Sequence, residues 1–161
     1  MTLKLKDIDN GFAAMGRALA HKPGKVNIGI SESADREVVL RALAHEFGSE
    51  DGRIKQRAPV RSTMDTNKEK YRKVLKGIGL EALGKMLHGE KPNVKGSLDQ
   101  LGRMGVRDVK AAIKSDKFGQ PPLQLAASTL ARKRALGQPD TALIATHEML
   151  DSYTYAVEGE E

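Results

Sequence analysis

Apolar residues recur along this chain at two periods, and the longer period predicts helices. Spacings of three and four residues run through four stretches, residues 7–21, Ala34–Phe47, Ser62–His88 and Ser97–Lys114. This spacing places apolar side chains on one face of a helix, where they can pack against a core. Two shorter helical runs follow within the last forty residues. The chain is therefore predicted to be mainly helical.

The shorter period, in which every second residue is apolar, predicts strands. Apolar and polar residues alternate in Lys25–Ile30 and again in Tyr153–Val157. Such alternation is typical of a strand with one buried face. We predict an α+β fold, with a small, mostly antiparallel sheet covered by three or four helices in a single domain of residues 1–161. A basic loop at residues 49–61 and an extended C-terminal segment at residues 121–161 belong to it.

Local signals predict where several of these helices begin, bend and end. Ser33 or Asp35 can cap the second helix, and Gly48 can end it. Ser97, followed three residues later by a glutamine, forms a capping box. Gly77 and Gly79 weaken the helix formed by residues 62–88, so we expect a bend or a break there.

The composition excludes several classes of protein. The 161 residues include no cysteine, which removes disulfides, thiolate zinc sites and cysteine nucleophiles. No apolar run approaches the roughly 20 residues needed to span a bilayer. The first residues contain no apolar segment of the kind found in secretory signal peptides. We expect a soluble protein that is made in the cytoplasm and has no membrane partner.

The positive charge of the chain is concentrated in one region. The net charge is +6, and residues 53–76 contain nine basic and two acidic residues, so the rest of the chain is close to neutral in sum. A basic region of this kind can face nucleic acid or an acidic protein partner, or can simply be a solvated helix face. The basic loop could be an arm that becomes ordered against a neighbouring subunit.

The residue types that carry chemistry are poorly represented. His45 and Glu46 begin like a zinc-binding HExxH motif, but position 49 is serine, and the other histidines offer no second ligand on the same helical turn. Ser152 and His147 could be a nucleophile and a base, yet no oxyanion loop or orienting acid accompanies them. Phosphate-binding glycine motifs are absent. We expect no catalytic residue, no cofactor and no metal.

Three short motifs in a fixed order resemble a family of bacteriophage proteins. The first is an apolar helix that ends in Glu46, Phe47 and Gly48, followed after a polar loop by Arg57-Ala58-Pro59-Val60-Arg61. The family has an Arg-Pro-Phe-Leu-Arg type sequence at this point, so one residue is added here and Val60 replaces an aromatic. The second motif is Pro122-Leu123 followed by the run Ser128–Lys133.

The third motif lies at the end of the chain, in residues 143–157. It resembles a Leu-Ile-Asp-Thr-Gly pattern that continues to Ser152, Tyr155 and Val157, with Ala145 and His147 in place of the aspartate and glycine. Together the motifs resemble the tail-completion, or head-to-tail joining, proteins of tailed bacteriophages and prophages. This group includes the minor tail protein Z type and the Mu-like virion morphogenesis proteins.

The resemblance implies a structural protein of the virion that is not an enzyme. Such proteins assemble as a ring, often a hexamer, at the head-tail junction, after synthesis in the host bacterial cytoplasm. The implied partners are other copies of the chain, the head-completion or connector proteins, and the tail terminator or tail tube proteins, with DNA passing through the lumen.

Two sets of residues follow from this hypothesis. We expect the subunit or connector interface to include Arg53, Lys55, Arg57, Arg61, Arg132, Lys133, Tyr153 and Tyr155. The residues expected to have a structural role in the family motifs are Glu46, Phe47, Gly48, Pro59 and Ser152. In a closed ring every contact is head-to-tail, so each subunit needs two different complementary patches.

The basic region leaves a nucleic-acid-binding module, acting in phage DNA packaging or passage, as an alternative function. Lysine and arginine side chains can follow a phosphate backbone. The six phenylalanine and tyrosine residues of the chain, without any tryptophan, supply few platforms on which bases could stack. An enzyme is the other alternative, and the lack of a catalytic constellation argues against it.

Overall fold

The computed structural model describes residues 24–145 and 147–158, which form a two-stranded antiparallel sheet and six helices. The α+β class and the antiparallel sheet are confirmed, while the described part of the chain contains more helices than the three or four expected. The elements in chain order are β1 (Lys25–Ile30), α1 (Arg36–Phe47), α2 (Pro59–Thr66), α3 (Lys68–Leu87), α4 (Val94–Lys114), α5 (Ala127–Ala135), α6 (Glu148–Asp151) and β2 (Tyr153–Glu158).

The sheet pairs the first described strand with the last. Lys25 lies opposite Glu158, and Ile30 lies opposite Tyr153, at the two ends of a continuous antiparallel register. Both strands were predicted from their alternating patterns, because one face of the sheet is buried and the other is open to solvent. The buried face packs against α4, which contacts both strands.

Helix α4 lies close to the sheet because it carries glycine at two contact points. A Cβ atom on Gly102 would overlap the ring of Tyr155, and a Cβ atom on Gly105 would overlap the side chain of Ile28. The glycines thus leave room for side chains of both strands on the surface of the helix. Val109 and Ile113, further along α4, are completely buried and form the centre of the core with Leu150 and Tyr153.

The ends of α1 follow the sequence signals, whereas the start of α4 does not. The carboxylate of Asp35 caps α1 by accepting from the backbone N–H of Glu37 at 2.8 Å, and Gly48 ends the helix with a φ angle of +80°. Helix α4 begins at Val94, three residues before the expected Ser97. Its cap is Asn93, whose side-chain oxygen accepts from Gly96 N–H at 3.0 Å.

Residues 62–88, which were expected to form one long helix, do not form a single helix. They are divided between two helices, α2 and α3, which meet at Asn67. The amide of Asn67 donates to the carbonyl of Thr63 at 3.0 Å, a local side-chain bond that competes with helix continuation. The expected break at Gly77 and Gly79 is not observed, since α3 runs through both glycines. Helix α2 also includes the last three residues of the basic loop, so the loop proper ends at Ala58.

The remaining sequence predictions concern the N-terminal helix and a possible membrane span. The N-terminal helix expected over residues 7–21 lies outside the described residues. Within residues 24–145 and 147–158, no helix combines the length and the apolar character needed to cross a bilayer.

Candidate assembly interface

The two halves of the first family-like motif meet at the start of α2. One carboxylate oxygen of Glu46 accepts from the backbone N–H of Val60 and the other from that of Arg61, both at 3.1 Å. Ala58, the residue at the N-cap of α2, has left-handed φ and ψ angles and makes no side-chain capping bond. Glu46 therefore supplies the cap from another helix, and its negative charge also suits the positive end of the α2 dipole.

Phe47 and Gly48 complete this contact. The guanidinium of Arg61 lies over the ring of Phe47, 5.6 Å from its centre, while the ring remains 60% exposed. Gly48 is required for its positive φ and because a Cβ atom there would press on the backbone of Ile54 and Gln56 at 3.2 and 3.3 Å. Pro59 is buried at the first turn of α2, where its missing N–H leaves no hydrogen bond unmade.

Arg57, predicted at the interface, lies inside the chain. It is 9% exposed, and its guanidinium donates to the backbone carbonyls of Phe118 at 3.2 Å, Leu123 at 3.1 Å and Lys55 at 3.3 Å. Burial lowers the pKa of Arg57, and the charge of Asp116 opposes this shift. Arg57 therefore fastens the basic loop to residues 118–123 and is not available to a neighbouring subunit as a surface charge.

The basic loop itself is packed against α1. The backbone N–H groups of Arg57 and Ala58 both donate to the carbonyl of His45, at 2.9 and 3.0 Å, and the side chain of Gln56 donates to the carbonyl of Glu46 at 3.1 Å. The loop is thus held to α1 by hydrogen bonds within its own chain. The imidazole of His45 is partly buried beside Arg57, and desolvation followed by this positive charge lowers its pKa to about 4.

Lys133, another predicted interface residue, is also internal. It is 7% exposed, and its ammonium group donates to the carbonyl of Thr141 at 2.9 Å and to the carbonyl of Ile144. Burial lowers the pKa of Lys133, while the carboxylates of Asp140 and Asp116 act in the opposite direction. Lys133 therefore holds the turn after α5 in place. The neighbouring Arg132 remains exposed.

The two predicted interface tyrosines take part in the packing of the sheet. Tyr153 is 3% exposed and belongs to the core, and burial raises its pKa. Tyr155 is half-buried against α4, and its hydroxyl donates to Asp99 at 2.6 Å. Ser152 precedes them, and its hydroxyl donates to the carbonyl of Glu148 at 2.8 Å, while its carbonyl accepts from Ser31 N–H at 2.9 Å.

Three of the predicted interface cations are exposed on the loop and at the start of α2. Arg53 forms a surface ion pair with Asp51 at 3.2 Å, and Lys55 donates to the carbonyl of Pro122 at 3.3 Å. Arg61 lies over Phe47 as described above. Of the eight predicted interface residues, these three and Arg132 present charge to solvent.

Large apolar side chains are exposed on two helices, a feature that the sequence patterns did not reveal. On α1, Leu40, Leu43 and Phe47 follow one another at helical spacing and are 55%, 48% and 60% exposed. On α3, which contains no buried residue, Leu80 and Leu87 are 60% and 59% exposed. We call these the α1 apolar face and the α3 apolar face. Contiguous exposed apolar surface is typical of interaction sites.

Comparison with protein families, with curated proteins and with solved structures finds no match to this chain. Functional inference therefore depends on the chain's own residues and on the motif resemblance. Within the described residues, no group of three or more histidine, cysteine, aspartate or glutamate side chains is arranged to hold a metal ion.

Proposed function

We propose that this chain is a structural subunit of the neck of a tailed bacteriophage, which forms a ring that completes the tail and joins it to the head. The contact between Glu46 and the first turn of α2 carries the proposal. It makes one structural unit of two sequence segments whose order and residues resemble the tail-completion proteins. The capping role also gives a physical reason for a glutamate, a glycine and a proline at these positions.

The exposed apolar faces support assembly with other copies of the chain. The α1 and α3 apolar faces lie on different helices, and a closed ring needs two different patches on each subunit. Helix α3 packs within the chain through a half-buried seam that includes Val74 and Ile78, which leaves its other side to a neighbour. We propose that the α1 apolar face of one subunit packs against the α3 apolar face of the next in a ring, often six-fold in the related proteins.

The charged part of the proposed interface is revised by the structure. Arg53, Lys55, Arg61 and Arg132 are exposed and remain candidates for contacts with a neighbouring subunit or with head-completion, connector, tail terminator or tail tube proteins. Arg57, Lys133 and Tyr153 are internal, so substitution of these residues would affect folding before assembly.

The experiment that tests the proposal is mass spectrometry of particles purified from the bacterium that carries the coding sequence, after induction. We expect the intact chain in tailed particles at several copies per particle. Native mass spectrometry of the isolated protein provides the second measurement, and we expect a closed oligomer at high protein concentration. A chain that is missing from complete particles, while their other neck proteins are detected, would refute the proposal.

A further inference from the structure

A groove of about 440 Å³ follows α4, outside the basic loop, and Tyr155 is its one lining residue that belongs to a family-like motif. Its apolar walls come from Val106, Ala111 and Tyr155. Its other lining residues are four cations, Arg103, Arg107, Lys110 and Lys114, and no carboxylate lines it. The groove therefore combines a concave shape with a charged lining that is entirely positive.

The four cations form a regular row. They are four, three and four residues apart, which places them on one face of α4 over about 16 Å of helix length. Arg103 is paired with Asp99 at 2.9 Å, and Lys110 donates to the carbonyl of Asp151 at 3.3 Å. Arg107 and Lys114 are exposed, and neither has an ion-pair partner within residues 24–145 and 147–158. Half of the row is thus available to an external anion.

The other acidic residue on this part of α4 is turned to a different partner. Asp108 accepts from the hydroxyl of Tyr71 at 2.7 Å and from the ammonium group of Lys70 at 2.6 Å, both on α3. Its charge is neutralised at the helix-helix contact and does not offset the row. The local field over the groove is therefore positive, and a positive concave surface concentrates anions near it.

We propose that this α4 cationic groove binds the phosphodiester backbone of a nucleic acid without sequence preference. Successive phosphates of one strand advance by about 3.4 Å along the axis of a DNA duplex and also turn around it, so a straight row of about 16 Å can meet two to four phosphates. A concave groove can accept a phosphate backbone, whereas base edges are read by a protruding helix or β-ribbon that enters a groove of the DNA. Neither asparagine nor glutamine, which read adenine edges, is among its lining residues. The proposal depends on the groove alone and does not require a phage neck.

The test is a fluorescence titration of a labelled duplex of random sequence with the full chain at several salt concentrations. Two to four phosphate contacts, from Arg107 and Lys114 alone up to the whole row, predict that log K falls with log salt with a slope of about −1.8 to −3.6, and binding in the micromolar to hundred-micromolar range at physiological salt. A single strand of the same length predicts a slope of about −1.4 to −2.8 if the same contacts form. The variant Arg107→Gln with Lys114→Gln should reduce the duplex slope by about 1.8.

The matched control is Lys73→Gln with Lys76→Gln, which removes the same number of exposed charges from another helix, α3. We expect this variant to keep most of the wild-type slope. Equal losses in both variants would reduce the effect to net charge and overturn the proposal, as would a loss confined to the α3 variant. Displacement of the duplex by polyglutamate at equal charge would assign the groove to an acidic protein partner instead. Circular dichroism spectra of both variants show whether the fold is retained.

Discussion

The side-chain Nε of Arg57 donates a hydrogen bond to the carbonyl oxygen of Phe118, 3.2 Å away, across 61 residues of sequence. Phe118 is 2% exposed and Arg57 is 9% exposed, so the bond forms away from solvent. It is one of two bonds by which the guanidinium joins the basic loop to residues 118–123, and a third bond goes to the carbonyl of Lys55 within the loop. A residue that the sequence places in a surface patch is thus part of the protein's internal structure.

Replacement of this guanidinium should destabilise the fold. Arg57→Met keeps an apolar side chain of similar length but leaves buried carbonyl groups without donors, so we expect a loss of about 2–4 kcal/mol in the free energy of unfolding. Urea titration measures this loss. Arg53→Met is the control, because Arg53 has a side chain that is 87% exposed and an ion pair at the surface, and we expect a change within about 0.5 kcal/mol. Equal effects would contradict the assignment.

Two glycine substitutions should change stability in opposite directions. Gly102→Ala adds a methyl group where the ring of Tyr155 lies, so we expect a destabilisation of about 1–3 kcal/mol. Gly79→Ala in α3 adds the same group where nothing lies within 4 Å, and we expect a stabilisation of up to about 1 kcal/mol from helix propensity. Thermal unfolding of the two variants and the wild type measures both changes in stability. A neutral Gly102→Ala would show that α4 and β2 are further apart than described.

Stability should fall at mildly acidic pH because of His45. Its pKa is about 4 in the folded chain and 6.5 as a model value, so the unfolded chain takes up a proton that the folded chain refuses. The stabilisation from neutral His45 is complete above about pH 6.5 and is lost as the pH falls towards 4, by at most about 3 kcal/mol.

This pH dependence can be isolated with one variant. Between about pH 7.5 and 5.5 the wild type should lose roughly 1 kcal/mol in the free energy of unfolding, before most carboxylates begin to titrate. His45→Gln cannot titrate, so its denaturation midpoint should change less over the same interval, whatever its absolute stability. Parallel curves for the two proteins would mean that His45 is protonated equally in both states.

A charge on the α1 apolar face should prevent self-association without unfolding the chain. Leu40 is 55% exposed, so Leu40→Glu leaves the core intact but places a carboxylate where the proposed neighbour packs. We expect only monomer by analytical ultracentrifugation at a concentration where the wild type forms oligomers. Leu136→Glu is the control, since Leu136 is 64% exposed near the end of α5, away from both proposed apolar faces. Loss of oligomers in this control as well would place the interface elsewhere.

The sheet and the main helices could be predicted because burial on one side leaves a period in the sequence. Val26, Ile28 and Ile30 carry that signal in β1, and the same alternation marks β2. The division at Asn67 could not be predicted in this way, because the apolar spacing continues across it from Met64 to Tyr71. The boundary coincides with a local side-chain bond from Asn67 to the carbonyl of Thr63, which apolar spacing does not encode.

The internal cations could not be predicted for a different reason. Lysine and arginine are usually exposed, and the partners of Arg57 and Lys133 are backbone carbonyl groups, which have no residue signature. The row on α4 has a regular spacing in the sequence, but Asp99 and Asp108 on the same helix offset half of its charge in a count. Only the three-dimensional contacts show that Asp108 is turned away.

The pairing of β1 with β2 also affects when the fold can be completed. The strand that covers Gly102 and the surrounding face of α4 is the last described segment to leave the ribosome. Until β2 has been synthesised, β1 lacks a hydrogen-bonding neighbour and much of the apolar side of α4 stays exposed to solvent. Closing so long a loop is slow compared with forming a helix. The nascent chain can therefore complete its sheet only after β2 has been made, and exposes the apolar side of α4 until then.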